Sequence, residues 1–205
     1  ISRLPAFSAS APDSFDVPNL LILSTKQVFV VMPHYQLFGG AISIHLDGNY
    51  MDASDLRQVP DNQEVLLSRD SDVSVIVEVL QCVGTSTDAD AMDHGVRYHF
   101  DSLAHDNSAL ESQILKVAST TCIPQNPAQG ATPTPSLAQG LQIVRKFGKA
   151  SDEDRVQISI AMWRLPSKNV DLVLSINDPT CARIDWSVLQ QAASSLHIVD
   201  WGLFP

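Results

Sequence analysis

The sequence predicts an α+β domain whose sheet is largely antiparallel. Several segments alternate apolar with polar residues, which is the period-two pattern of half-buried strands, and turn residues separate them in the manner of hairpins. Segments with helical spacing and capping residues are inserted between groups of these strands. With 205 residues and 44% hydrophobic content, the chain suffices for one domain with a sizeable core.

The first predicted strand is Ala41–Leu46, where apolar residues alternate with polar ones and His45 lies on the solvated face. Asp52–Arg57 then predicts a short capped helix, and Gln63–Leu67 predicts a second strand. Between them, Val59–Val65 places two acids and two amides in a turn that begins with proline. This composition is unusual for a bare connector, although a solvated turn is the alternative interpretation.

Residues Ser71–Val83 are ambiguous, because β-branched side chains favour a strand whereas their spacing favours a helix. The apolar positions fall at i, i+1, i+4, i+5 and i+8, which is one helical stripe. We therefore predict a helix that Asp72 or Ser74 caps. Glu78 and Gln81, three positions apart, would share its polar face.

Val96–Asp101 alternates again and predicts a strand with its aromatic residues directed inward. His94, His99 and His105 lie near this segment, but their spacing fits neither one helix face nor one strand face. No cysteine is close to them in sequence, so we expect no zinc site.

The remaining predicted elements are a proline-rich surface loop, a hairpin with a long charged tip, a further strand and a helix capped by Asp185. They correspond to Cys122–Ser136, Leu141–Phe147 with Val156–Leu165, Asp171–Asn177, and Asp185–Leu196. Residues His197–Phe204 are too apolar to extend into solvent, so we predict that this tail docks on the domain.

Composition excludes several classes of function. A net charge of -10 argues against a nucleic-acid partner and suits a basic protein surface. The 3 cysteines are far apart, odd in number and without a C-x-x-C pair, which favours a reducing compartment over a zinc ribbon or redox site. Leu20–Met32 is too short and too polar to span a bilayer and lacks the features of a signal peptide, so we expect no membrane association.

Motifs for enzymatic chemistry are also missing from the sequence. No G-x-G-x-x-G follows a strand and no Walker loop is present, so the chain is not expected to bind a nucleotide or another cofactor itself. There is no nucleophile elbow. Cys122 or Cys181 with a distant histidine leaves a hydrolase dyad open, without local support.

Three motifs in the first half of the chain resemble one known family. Leu37–Ile42, Asp52–Arg57 and Val59–Val65 together look like the opening of the Mog proteins, also called Ran guanine nucleotide release factors. Further Mog-like segments follow in order: Tyr98–Asp101, Val144–Phe147, Arg164–Leu165, Asp171 with Ser175–Pro179, and His197–Asp200 with Leu203–Phe204. The resemblance predicts one Mog-like domain over residues 37–205 and an appended extension over residues 1–36, with Met32 as a family-like start.

The resemblance implies a three-layer α/β/α sandwich similar to the photosystem PsbP proteins. It also implies binding to the small GTPase Ran, promotion of guanine nucleotide release, and support of nuclear protein import, without catalytic residues, cofactor or metal. We accordingly expect a monomer in the nucleus and cytoplasm, with a second Ran-binding protein as a further partner. The alternative is a PsbP-like module of another system, which predicts an organellar transit peptide that the N-terminal segment does not resemble.

Position by position, the resemblance assigns a Ran-facing surface. Its residues are Asp61, Gln63 and Glu64 from the Val59–Val65 turn, Glu78 and Gln81 from the predicted helix face, and Asp55 from the short capped helix. Gln81 departs from the family pattern, since relatives carry Glu there, and this weakens the expected charge of the surface.

Overall fold

A computed structural model describes residues 32–119, 131–145 and 153–204. Within these residues, the α-helices are α1 (Ala89–Asp106) and α2 (Trp186–Ser195). The strands are β1 (His34–Leu37), β2 (Ile42–His45), β3 (Tyr50–Asp52), β4 (Gln63–Ser68), β5 (Ser74–Gln81), β6 (Glu111–Ala118), β7 (Ser136–Arg145), β8 (Glu153–Leu165), β9 (Val170–Asp178) and β10 (His197–Ile198).

The strands form two sheets. The larger sheet has seven strands in the order β3-β4-β5-β9-β8-β7-β6, and a smaller sheet has the order β1-β2-β10. Every pairing in both sheets is antiparallel. The prediction of an α+β domain with a largely antiparallel sheet is therefore confirmed.

Each helix covers one face of the large sheet. Val173 and Met162 pack with α1, whereas their chain neighbours Leu172 and Trp163 pack with α2. This division follows from strand geometry, because successive side chains point to opposite faces. The core consequently lies in two layers, one on each side of β8 and β9.

The smaller sheet closes the layer on the α2 side. Ile42 and Ile44 are fully buried there, and β10 adds Ile198 to the same cluster. The chain end is held as well, since Phe204 is buried and its carbonyl accepts a hydrogen bond of 2.8 Å from Nζ of Lys168. The prediction that the tail docks on the domain is confirmed.

A buried ionic network joins α1 to the sheet. Arg164 donates to both oxygens of Asp171 at 2.9 and 3.0 Å, and Nε2 of His99 lies 2.9 Å from Oδ2 of the same carboxylate. Burial by itself would raise the pKa of Asp171, but hydrogen bonds from His99, Arg164 and the Val83 amide hold this pKa well below its usual range. Asp171 is therefore ionised and fully paired.

The predicted helix over Ser71–Val83 is wrong, because these residues contain strand β5. β5 lies between β4 and β9, with Val75 and Val77 on the α2 side of the sheet. A strand that is covered on both faces carries a near-continuous apolar run, and such a run matches a helical stripe by spacing alone. The β-branched composition was the correct signal.

The predicted strand over Val96–Asp101 is also wrong, because it lies within helix α1. Val96 and Phe100 are buried as a helical i, i+4 pair, whereas Tyr98, which we expected to point inward, is 52% exposed. Asp88 begins the helix by accepting a hydrogen bond of 2.8 Å from the amide of Ala91. The alternation of apolar and polar residues extends over only six positions, which is too short to distinguish a strand from part of a helix.

The other predicted elements are confirmed where the structure describes them. These are β2 with an exposed His45, the 3₁₀ turn Ala53–Asp55 capped by Asp52, strands β4 and β9, the β7–β8 hairpin, and α2 with its Asp185 cap. The hairpin tip (146–152), Cys122 and most of its loop (120–130) lie outside the described residues. So does the segment before Met32, and the division into 1–36 and 37–205 stays a prediction.

Among the residues that the structure describes, no helix has the length and apolar character that a membrane crossing requires.

Candidate functional site

The Val59–Val65 turn leads directly into β4. The amide of Gln63 donates a hydrogen bond of 2.9 Å to the carbonyl of Pro60, which closes the turn. Asn62 is tied to the neighbouring strand, since its carbonyl accepts a hydrogen bond of 2.9 Å from the amide of Val79. Asp61 lies at the exposed corner of this turn. The backbone is thus held on both sides of an acidic side chain that faces solvent.

Glu78 is presented on the α1 side of the sheet. It lies directly opposite Gln63 in the β4–β5 pairing, and Nε2 of Gln63 donates a hydrogen bond of 2.6 Å to its Oε1. Burial raises the pKa of the Glu78 carboxyl, and the hydrogen bond from Gln63 opposes that rise. The carboxylate borders a small cavity of about 90 Å³ that His99 and Asp106 also line.

Glu64 points to the opposite side of the sheet from Glu78. Its partner in the pairing is Val77, which belongs to the core on the α2 side. Oε1 of Glu64 accepts a hydrogen bond of 2.5 Å from the backbone amide of Phe38. Burial raises the pKa of Glu64, and the amide of Phe38 counteracts the rise. The two glutamates of the predicted surface are therefore held by different partners on different faces.

Gln81 is not placed as predicted relative to Glu78. In a helix the two side chains would share one face, but in β5 they are three positions apart and therefore point to opposite faces. Gln81 is exposed at the end of β5, the end of the sheet at which the Val59–Val65 turn enters β4.

Asp55 belongs to the 3₁₀ turn Ala53–Asp55, which packs beside β4. The carboxylate of Asp52 accepts a hydrogen bond of 2.7 Å from the amide of Ser54 and so starts this turn. Asp55 is exposed, and the following residue, Leu56, has 64% of its surface exposed. The sequence did not indicate this exposure, because a single leucine between polar residues can be either buried or exposed.

All six predicted residues lie at one end of the β4–β5 hairpin. Asp55, Asp61 and Gln81 are exposed, whereas Gln63, Glu64 and Glu78 are half-buried. Acidic groups dominate this end, which we call the acidic end. Chemically it can pair with cations and donate or accept hydrogen bonds.

The cysteine hydrolase alternative finds no support at Cys82, the cysteine nearest a buried histidine–aspartate pair. Burial, together with the charge of Asp171, raises the pKa of the Cys82 thiol to about 11, the opposite of what a nucleophile needs. Cys181 is tied to the chain, because its Sγ donates to the carbonyl of Arg155 at 3.2 Å. Cys122, the other candidate nucleophile, lies outside the described residues.

The three histidines of α1 lie in different environments. His99 is buried against Asp171, whereas His94 and His105 are exposed on the outer side of the helix. Across residues 32–119, 131–145 and 153–204, no three His, Cys, Asp or Glu side chains come together as a metal site.

Comparison with known proteins places this fold in one family. The family model described as Ran-interacting Mog1 protein matches residues 35–179. The chain belongs to the Mog1 family. The match spans the Val59–Val65 turn, β5 and all six predicted residues, so the resemblance inferred from the motifs is confirmed.

Relatives within the Mog1 family cover most of the chain. The Ran guanine nucleotide release factor of Danio rerio is 33% identical over 168 residues, which are 82% of this chain and 87% of that protein. The nuclear import protein mog1 of Schizosaccharomyces pombe is 34% identical over 147 residues, covering 70% and 75% of the two chains. The crystal structure of the Saccharomyces cerevisiae Ran-binding protein Mog1p matches with a TM-score of 0.64 at 26% identity, over 85% of this chain and 98% of that one.

Proposed function

We propose that this protein binds the small GTPase Ran, promotes release of guanine nucleotide from it and supports nuclear protein import. Membership of the Mog1 family and the names of its relatives support this function. The observation that carries it is the geometry of the Val59–Val65 turn, whose backbone is fixed on both sides of an exposed Asp61. A turn that is already held in place before binding lowers the conformational cost of binding a partner.

The proposed Ran-binding surface is the acidic end of the β4–β5 hairpin, with Asp55, Asp61, Gln63, Glu64, Glu78 and Gln81. A net charge of -10 steers the protein toward a basic patch on its partner. Charge pairs at the exposed rim raise the association rate and fix the register more than they add affinity. Asp61 and Asp55, which face solvent, fit this steering role.

Nucleotide release follows if the protein binds nucleotide-free Ran more tightly than loaded Ran. The additional binding free energy for nucleotide-free Ran offsets the loss of the contacts that Ran makes with the phosphates and magnesium of its nucleotide. Such coupling is reciprocal, so excess GTP weakens the complex between this protein and Ran. The action needs binding alone, and we propose that the protein is not an enzyme and carries no catalytic residue.

Several finer properties belong to the same proposal. The helices on opposite faces of the large sheet support a three-layer α/β/α arrangement similar to PsbP proteins. We propose a monomer that works in the nucleus and cytoplasm, with a second Ran-binding protein as a further partner.

Release of a fluorescent guanine nucleotide from purified Ran tests this function. We expect the protein to accelerate release, and Asp61→Lys to reduce both the acceleration and the affinity for Ran. Asp72→Lys is the matched control, because Asp72 is an exposed acid at the other end of β4, about 20 Å away. The proposal is overturned if the wild-type protein neither accelerates release nor binds Ran, and the site is overturned if both variants behave alike.

A further inference from the structure

The Phe38–Gly40 turn has an unusual backbone. Three successive residues have positive φ angles, namely Phe38 at 51°, Gly39 at 63° and Gly40 at 96°. Glycine adopts such angles freely, but a residue with a side chain such as phenylalanine does so only when its surroundings hold it there. The turn is closed by a hydrogen bond of 3.2 Å from the amide of Ala41 to the carbonyl of Phe38.

The group that holds this turn from outside is Glu64. Its Oε1 accepts a hydrogen bond of 2.5 Å from the amide of Phe38, across 26 positions of the sequence. A hydrogen bond between an amide and a carboxylate is stronger than one between neutral groups. Successive backbone amides in a turn conformation also favour a nearby anion. Glu64 therefore satisfies the turn, and the turn in return stabilises the half-buried carboxylate.

Glu64 differs in this respect from Asp61. Asp61 is exposed at the corner of its turn, whereas Glu64 is half-buried and points to the α2 side of the sheet. A half-buried carboxylate that already accepts from a backbone amide is less accessible to a cation of a partner than an exposed carboxylate. The two acids of one short motif are thus suited to different tasks.

We propose that Glu64 is a positioning residue of the Ran-binding surface, which acts by holding the Phe38–Gly40 turn beside the Val59–Val65 turn. This inference rests on the proposed function. The element that meets the partner is then the Phe38–Gly40 turn itself. Gly39 is exposed, and no other group lies within 4 Å of the position that a Cβ would occupy there. A partner backbone can approach closely at such a glycine.

Comparison of Glu64→Gln with Glu64→Ala separates positioning from direct charge pairing. Glutamine keeps an oxygen that accepts from the Phe38 amide but has no charge, whereas alanine removes both. We expect Glu64→Gln to retain Ran affinity within about twofold and Glu64→Ala to lose about tenfold. Asp61→Asn is the matched control for charge, and we expect it to lower the association rate and its dependence on salt.

A second substitution tests the turn without touching Glu64. Gly39→Ala has room for its methyl group but strains the backbone at a φ of 63°. We expect Gly39→Ala to weaken Ran binding as Glu64→Ala does. The double variant should lose less affinity than the product of the two single fold-losses, because both substitutions disturb the same turn. Amide exchange at Phe38 in the isolated protein should quicken in Glu64→Ala and stay slow in Glu64→Gln.

Equal loss of affinity in Glu64→Gln and Glu64→Ala, with a reduced salt dependence in both, would make Glu64 a direct charge contact and overturn the inference. Full affinity in both variants would overturn it as well. If the wild-type protein does not bind Ran at all, the proposed function fails and this inference fails with it. Wild-type binding is measured first, which keeps the two failures distinct.

Discussion

Gln63 and Glu78 face each other across β4 and β5 and are joined by a hydrogen bond of 2.6 Å, although 15 positions separate them in sequence. The Gln63 amide is the donor, so it stabilises the charged form of a carboxylate whose burial favours the neutral form. The charge that Glu78 offers to a partner therefore depends on an uncharged neighbour.

Replacing Gln63 tests this dependence. Gln63→Ala removes the hydrogen bond that lowers the Glu78 pKa, so we expect that pKa to rise further and Ran affinity to fall about fivefold. Titration of the Glu78 carboxyl by NMR and calorimetry with Ran measure the two effects. Gln190→Ala, at an exposed glutamine on α2, is the control. A Glu78 pKa that does not respond to Gln63→Ala would contradict the prediction.

Leu56 is predicted to be an apolar contact for Ran. It is 64% exposed beside the acidic end, so truncation removes little from the core of the protein itself. We expect Leu56→Ala to leave thermal stability unchanged and to cost about 1 kcal/mol or more of Ran-binding free energy. Leu115 is 58% exposed on β6, the strand at the other edge of the large sheet, and provides a matched control. Similar affinities for Leu56→Ala and Leu115→Ala would exclude this contact.

Asp171 is predicted to be essential for folding rather than for binding. Asp171→Asn removes the carboxylate that pairs with Arg164 in the core and should cost about 3–5 kcal/mol of unfolding free energy. Urea denaturation followed by circular dichroism measures this loss. Asp93→Asn breaks the exposed pair with Arg97 on α1 and should cost less than about 1 kcal/mol. Comparable costs in the two variants would contradict the prediction.

The same network predicts a pH dependence of stability. The pKa of Asp171 in the folded protein is far below the ordinary value of 3.8. At pH values between these two pKa values, the folded state therefore binds fewer protons than the unfolded state. The stabilisation is present above pH 3.8 and is lost as the pH falls toward the folded pKa. Denaturation of wild-type and Asp171→Asn proteins at a series of pH values should give a difference that shrinks below about pH 4. A difference that stays constant down to pH 2 would argue against this origin.

Prediction from sequence succeeded where a signal is local. Asp185 caps α2, because an aspartate before a helical stripe suffices to bind the first free amides. The β7–β8 hairpin alternates over enough residues to be distinguished from a helix. Prediction from sequence failed at β5 and α1. The short apolar runs of these elements fit both the helical and the strand period, and packing in the folded protein decides between the two.

The sequence by itself determined the family, the position of the Val59–Val65 turn and the acidic residues within it, because these are properties of contiguous residues. Only the tertiary structure decided that β5 is a strand, since β4 and β9 pair with both of its edges. It also decided that Glu64 and Glu78 point to opposite faces, that Gln63 supports Glu78, and that Glu64 holds Phe38. These contacts join residues far apart in sequence, and only the pairing of strands brings them within hydrogen-bond distance.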